Sequence, residues 1–373
     1  MPWSKRRLNS LTASFVAGRL ARLRERFAAA GVQGILVTGR ENVFYLSGFS
    51  GSAGVLLLDA TQEVLLTDGR YVEQARRECP GFAVVEAKRP WPDGVAALVR
   101  ESGLRCLGIE AANVTYDRWA KLAGALAGVE LVPLSGLVEE LRMVKEPAEI
   151  ALVREAVRLV DEIFARCLAA LHPGVRERDW ALELEFALRR AGAERAAFEF
   201  IVASGWRAAL PHGVASEKEI APGELVVIDC GAVVGGYHSD FTRTVAVGAA
   251  SPWQREVYRA VLAAQQAAIA AIKPGVTAGE IDRVARSVLT EHGYGEFFTH
   301  STGHGLGLAI HEEPRLAEGV ETLLAPGMVV TVEPGVYLPG QGGVRIEDVV
   351  VVTPEGAEVL TATPKEELLI TGR

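Results

Sequence analysis

The chain has no apolar run near the roughly 20 residues that a membrane-spanning helix needs, and no apolar signal core followed by a small-residue cleavage site, so a protein free of the membrane is expected. Cysteine is scarce. Cys79, Cys106, Cys167 and Cys230 are scattered, with no close pair that reads as a zinc knuckle or a secreted disulfide framework, and a reducing cytoplasm is the expected location. Basic charge is also short, with 39 Lys and Arg against 47 Asp and Glu, a formal net charge of -8 and a pI near 5.6. Nucleic acid and acidic membranes are therefore poor partners, which leaves small molecules and peptides.

What is present is an ordinary globular composition, 49% hydrophobic and 23% charged over 373 residues, enough for two domains. The basic stretch with Lys5, Arg6, Arg7, Arg19, Arg22, Arg24 and Arg26 superficially resembles a transit peptide. However, Val16, Leu20, Leu23 and Phe27 fall on one helical face leading into the strand-like Gly34-Ile35-Leu36-Val37, the pattern of a domain's opening helix.

To about residue 143 the chain alternates β-rich and helical runs. Strands are expected at Gly54 to Asp59, Val64 to Thr67, Ala83 to Glu86, Arg105 to Ile109 and Glu130 to Val132, and helices at Asp68 to Glu78, Asp93 to Arg100 and Tyr116 to Leu126. Pro147 then precedes a long amphipathic pattern, Ile150, Val153, Val157, Val160 and Phe164. The boundary is placed there, giving domains 1–144 and 145–373.

The second domain contains an internal repeat. Pro173-Gly174-Val175 recurs as Pro274-Gly275-Val276, Leu188 and Gly192 as Leu289 and Gly293, and Ala221-Pro222-Gly223 as Ala325-Pro326-Gly327. On the last of these shifts Asp229 falls on Glu333, each closing an apolar run that reads as a buried strand. Asp229 and Asp240 flank Val233-Val234-Gly235-Gly236 and are expected to face each other across a hairpin; Glu333 and Glu347 flank a second, centred on Gly340.

Any one of these acids alone is better read as a turn cap. Four at duplicated positions are different, because converging buried carboxylates repel unless cations neutralise them. His304, flanked by glycines in Thr302-Gly303-His304-Gly305, supplies a fifth donor. Such a donor set suits Mn, Co, Fe or Zn. His238 and Cys230 take bland readings, a histidine near the site and a buried small hydrophobe, and Asp348 must face the opposite side of its strand from Glu347.

Ile228-Asp229-Cys230-Gly231-Ala232, Ser239-Asp240-Phe241-Thr242-Arg243-Thr244, Gly303-His304-Gly305, Glu333-Pro334-Gly335 and Arg345-Ile346-Glu347-Asp348 together resemble the pita-bread metallopeptidases. Leu46 to Gly54 and Thr67-Asp68-Gly69-Arg70-Tyr71 resemble the N-terminal domain of the proline-directed branch, that of aminopeptidase P and prolidase. The resemblance implies an α+β chain: a creatinase/prolidase-like α/β domain, serving oligomerisation and walling the pocket, followed by a pita-bread catalytic domain with internal two-fold pseudo-symmetry. It implies two divalent ions per subunit, manganese by preference with cobalt or zinc as alternatives, bridged by Asp240 and Glu347, with Asp229 on one and His304 and Glu333 on the other. Glu333 would take the proton of the attacking water, His311 and His212 would hold substrate and stabilise the tetrahedral intermediate, His300 would line the pocket, and Arg345 would orient a bridging carboxylate.

The activity expected from this resemblance is removal of an N-terminal residue preceding proline, aminopeptidase P first and Xaa-Pro dipeptidase second, on proline-containing peptides or dipeptides. A homodimer is implied, with one subunit's N-terminal domain beside the other's pocket. A metal-free creatinase-like enzyme or a non-catalytic peptide-binding relative should have lost ligands, whereas all five positions match here.

Overall fold

The computed structural model describes residues 15–88 and 91–372, and in it the long amphipathic helix runs Pro147–Cys167. Pro147 occupies the first turn, where its missing N–H costs nothing, and Glu146 and Glu149 close a reciprocal capping box. Val153, Val157, Val160 and Phe164 are buried as the spacing predicts, each contributing roughly 1.5–3 kcal/mol by leaving water. Val16, Leu20, Leu23 and Phe27 lie on a helix at 15–25 and the turn after it, whereas Lys5, Arg6 and Arg7 lie outside the described residues. Among the described residues no helix is long and apolar enough to cross a membrane.

The chain divides into two compact units between Arg142 and Met143. The first is built on a mixed six-stranded sheet in the order Ala83–Glu86, Glu63–Thr67, Gly54–Asp59, Gly34–Val37, Cys106–Glu110, Glu130–Leu134. Two of its pairings, Gly34–Val37 with Gly54–Asp59 and the latter with Glu63–Thr67, are antiparallel and the rest parallel. Two of the departures from the sequence reading have a visible cause. The helix expected from Asp68 begins only at Val72, because the Asp68 carboxylate accepts from the Arg70 amide at 3.0 Å and holds a turn instead. An unforeseen helix, Arg40–Ser47, starts where the buried Glu110 carboxylate accepts from the amides of Thr38 (2.5 Å) and Gly39 (2.7 Å), an anion contributed by a distant strand.

In the second unit the repeat is a repeat of backbone. Gly174 and Gly275 have φ of 89° and 83°, and Gly223 and Gly327 83° and 90°, all in the left-handed region that favours glycine. The Gly174 amide donates to Ile220 O and the Gly275 amide to Leu324 O, both at 2.9 Å, and the bridge Arg176↔Glu219 is matched by Thr277↔Leu323. Each half has its own apolar cluster under two helices, Pro147–Cys167 with Glu177–Ala191 and Pro252–Ala271 with Ala278–Glu291. The helices cover a four-stranded sheet (Leu369–Thr371, Phe241–Val247, Leu225–Cys230, Ile201–Ser204) and a five-stranded one (Glu312–Leu316, Gly303–Gly305, Val329–Val332, Asp348–Thr353, Gly356–Val359).

Candidate metal centre

Gly235 and Gly236, at φ 59° and 82°, form the two-residue loop of the first hairpin, pairing Val234 with Tyr237 and Val233 with His238. The register carries on to Cys230↔Phe241 and Asp229↔Thr242. Asp229 therefore does not face Asp240 directly, as its near-symmetry about the turn suggests: the turn centre lies one residue later than the flanking acids imply. The offset in pairing is two residues, so both acids keep the same face and meet diagonally. Gly231 stands opposite Asp240, and a Cβ there would lie 2.2 Å from Ser239 O.

In the second hairpin the pairs Val332↔Asp348 and Gly335↔Arg345 bracket Glu333 and Glu347, which fall opposite each other about Gly340. At both acids the ladder opens to take other partners: the Glu333 amide donates to Thr302 O at 2.7 Å and the Glu347 amide to Thr242 O at 3.1 Å. The two hairpins and the strand Gly303–Gly305 are thereby sewn together at the acids. Asp348 turns to the other face, as alternation requires, where it is buried against Arg243 (2.9 Å), Gln265 (2.8 Å) and Lys365.

Asp240, His304 and Glu347 each offer a donor atom within 4.8 Å of the others. His304 Nδ1 donates to Gly305 O at 2.9 Å, which turns Nε2 toward the acids. Nε2 sits 3.4 Å from both Asp240 Oδ2 and Glu333 Oε1, in contact with two acids at once. Asp229 Oδ1 and Glu347 Oε1 are buried with no hydrogen-bond partner. Two orphaned anionic oxygens in a protein interior are costly, and cations satisfy them. Burial, reinforced by Asp240 and Glu333, pushes the Asp229 carboxyl up to about 7 although Arg345 opposes the shift. Burial and neighbouring acids also raise Glu333 and Glu347. Burial alone would lower His304, but Asp240 and Glu333 outweigh it and hold the imidazole at about 9. The donors present thus fit divalent cations: four crowded acids, one imidazole whose Nε2 faces them, and no thiolate.

Around this cluster, His311 sets its ring edge-on to His304 with centroids 4.4 Å apart, and burial together with His304 keeps it below the usual histidine range. His212 is exposed in the loop after Ala209, close enough that its charge disfavours protonation of His300 and His311. His300 is held back from the cluster by Ser301 O on Nδ1 and the Tyr337 hydroxyl on Nε2, both at 2.8 Å, and burial with Arg345 lowers its pKa to about 4. Arg345 departs from its expected role. It donates to Asp229 at 2.5 Å and not to Glu347, because its guanidinium reaches across to the neighbouring strand while the Thr242 hydroxyl takes Glu347 at 2.7 Å. His238 is engaged by Gly307 O and Arg195, and Cys230 is buried in the first apolar cluster.

Tyr337 and Thr242 were not foreseen. The Tyr337 hydroxyl accepts from Arg345 at 2.9 Å, completing a chain from Asp229 through Arg345 to His300. Period-two alternation carried a signal for both, since Thr242 lies two residues after Asp240 and Tyr337 four after Glu333.

Fold and site together define a carboxylate-rich metallohydrolase of the pita-bread class. The chain belongs to metallopeptidase family M24: residues 151–354 match that family, and residues 19–144 match the creatinase/prolidase N-terminal domain. The chain is similar to a solved structure of an Xaa-Pro dipeptidase from Bacillus anthracis, at 47% identity and TM-score 0.93, covering 95% of this chain and 99% of that one. It is 39% identical to an Xaa-Pro dipeptidase of Pyrococcus horikoshii over 90% of this chain and 94% of the relative. An X-Pro aminopeptidase from Thermotoga maritima is similar as well, at 37% identity and TM-score 0.85, covering 91% and 98%.

Proposed function

We propose that the protein is a divalent-metal-dependent Xaa-Pro dipeptidase. The likeness to dipeptidases over nearly the full length of both chains carries this reading, and it favours the dipeptidase over the aminopeptidase P activity expected first. The similar Thermotoga maritima aminopeptidase keeps that activity as the second reading.

Asp229, Asp240, His304, Glu333 and Glu347 would hold two ions, manganese by preference, which when bound supply Lewis-acid polarisation of the scissile carbonyl and a more acidic attacking water. The chain's own residues do the rest. Glu333, half-buried beside His304, accepts the proton of the attacking water and passes it to the departing proline nitrogen. His311 and His212 donate to the carbonyl oxygen as it gains negative charge. Arg345 fixes Asp229, and Thr242 fixes Glu347. His300, kept neutral by burial and the nearby Arg345 and held by Tyr337 and Ser301, lines the pocket as an oriented dipole. A cytoplasmic homodimer, one N-terminal domain beside the partner's pocket, completes the proposal.

The test is a length series. Manganese-loaded protein given Xaa-Pro, Xaa-Pro-Ala and longer peptides should turn over the dipeptide alone. Comparable or faster cleavage of Xaa-Pro-Ala overturns the dipeptidase reading in favour of the aminopeptidase, and dipeptide turnover unaffected by chelator overturns the metal site.

A further inference from the structure

Glu177, the first residue of the helix Glu177–Ala191, is fully buried although a helix terminus can usually reach water. Its Oε1 accepts from the Ser204 amide (2.7 Å) and hydroxyl (2.8 Å), and its Oε2 from the Ser216 amide (3.1 Å) and hydroxyl (2.6 Å) and from Arg207. Ser204 and Ser216 are the two stems of one loop. One carboxylate therefore closes both ends, and Arg207 spans the interior by donating to Val214 O at 2.7 Å. That loop carries His212, and at its tip Pro211 O accepts from Arg345 at 3.1 Å, the same guanidinium that holds Asp229.

The other half of the unit solves the same problem with different residues. Asp282, also buried, accepts from the Thr302 amide (3.0 Å) and hydroxyl (2.9 Å), and its partner Arg286 donates to Phe298 O and His300 O, both at 3.0 Å. Asp282 is not the repeat counterpart of Glu177, so the two clasps are not a mere copy of ancestral sequence. In each half a buried acid and an arginine grip the segment bearing a histidine beside the acid cluster.

We propose that Glu177 is a positioning residue, clasping the 204–216 loop so that His212 is presented to the substrate. Burying an acid here is expensive and is offset only by the five hydrogen bonds it receives, all spent on that one loop. The proposal rests on the assignment of His212 above, and its test separates the two. Manganese-loaded wild type, Glu177→Gln, His212→Ala and the double variant are compared for kcat and KM on an Xaa-Pro dipeptide, for amide exchange across residues 205–215, and for metal content; Ser216→Ala, which removes only one leg, stands in if Glu177→Gln does not fold. The clasp predicts faster exchange confined to that loop, unchanged metal content, about a tenfold fall in kcat/KM, and little further loss when Glu177→Gln is added to His212→Ala. Unchanged exchange in the loop, or a Glu177→Gln loss that adds in full to that of His212→Ala, overturns the proposal. Wild-type kinetics for His212→Ala, with the loop still loosened by Glu177→Gln, overturns the assignment of His212 and leaves Glu177 as a structural clasp only.

Discussion

The two hairpins of the catalytic unit deliver acids to one place by different means. In the first, a two-residue glycine loop sets a continuous register and places Asp229 and Asp240 diagonally. In the second, the turn about Gly340 places Glu333 and Glu347 opposite each other, and the ladder breaks at both so their amides can bond Thr302 and Thr242. What the halves share is the glycine-bearing backbone under the helices, and what differs is the hairpin that reaches the site. The duplicated frame fixes where a carboxylate emerges; the local turn fixes which neighbour it meets.

If both hairpins serve one cation site, removing an acid from either disables the whole. Asp240→Ala should abolish dipeptide hydrolysis, a loss of at least about 10³-fold, and at least one bound metal per chain. Elemental analysis beside the rate decides it, and a fully metallated, active variant would sink the site. The same crowding gives a pH dependence. Asp229, held at about 7, together with the raised Glu333 and Glu347, keeps protons on the metal-free cluster near neutrality. Cation binding must expel them, so affinity falls as pH falls, and calorimetric titration in buffers of different ionisation enthalpy should register proton release.

Adjacent residues on opposite faces of one strand sharpen the contrast between site and scaffold. Glu347 faces the cluster, whereas Asp348 faces Arg243 and Lys365 with 0% of its side chain exposed. Asp348→Asn leaves Arg243 without its counter-charge in the interior and should cost about 3–5 kcal/mol of stability. Chemical denaturation reads the loss; a stable variant would mean that the pair contributes only packing.

Asp229 and Glu333 were legible in the sequence because their positions repeat, Asp240 and Glu347 because each closes a hairpin with one of them, and alternation along a strand, a local rule, also excluded Asp348 correctly. The direct facing of Asp229 and Asp240 failed for a comparably local reason: the loop is the Gly235-Gly236 pair alone, both at positive φ, and centring the turn on Val233 to Gly236 instead misplaces its centre by one residue. The partners of Arg345 and Tyr337, and Glu177 altogether, were beyond local rules. Each acts across distances of several strands or a whole loop, and the choice of Asp229 over Glu347 by Arg345 is decided by side-chain reach in three dimensions. The helix Arg40–Ser47 escaped likewise, its N-terminal anion being the distant Glu110.

The repeat itself permits the finest test. Gly174 and Gly275 occupy matching turns, both at positive φ, and a Cβ on either meets nothing within 4 Å. Alanine at either position therefore pays only the backbone cost of a left-handed L-residue, about 1–2 kcal/mol, with no clash added. The two substitutions should lower stability by the same amount within about 0.5 kcal/mol and add when combined, since the turns lie in separate halves. Neither should alter kcat, because neither turn touches the acids. Urea denaturation of the two single variants and the double measures this directly. A marked inequality would mean that the halves, alike in backbone, carry unequal strain.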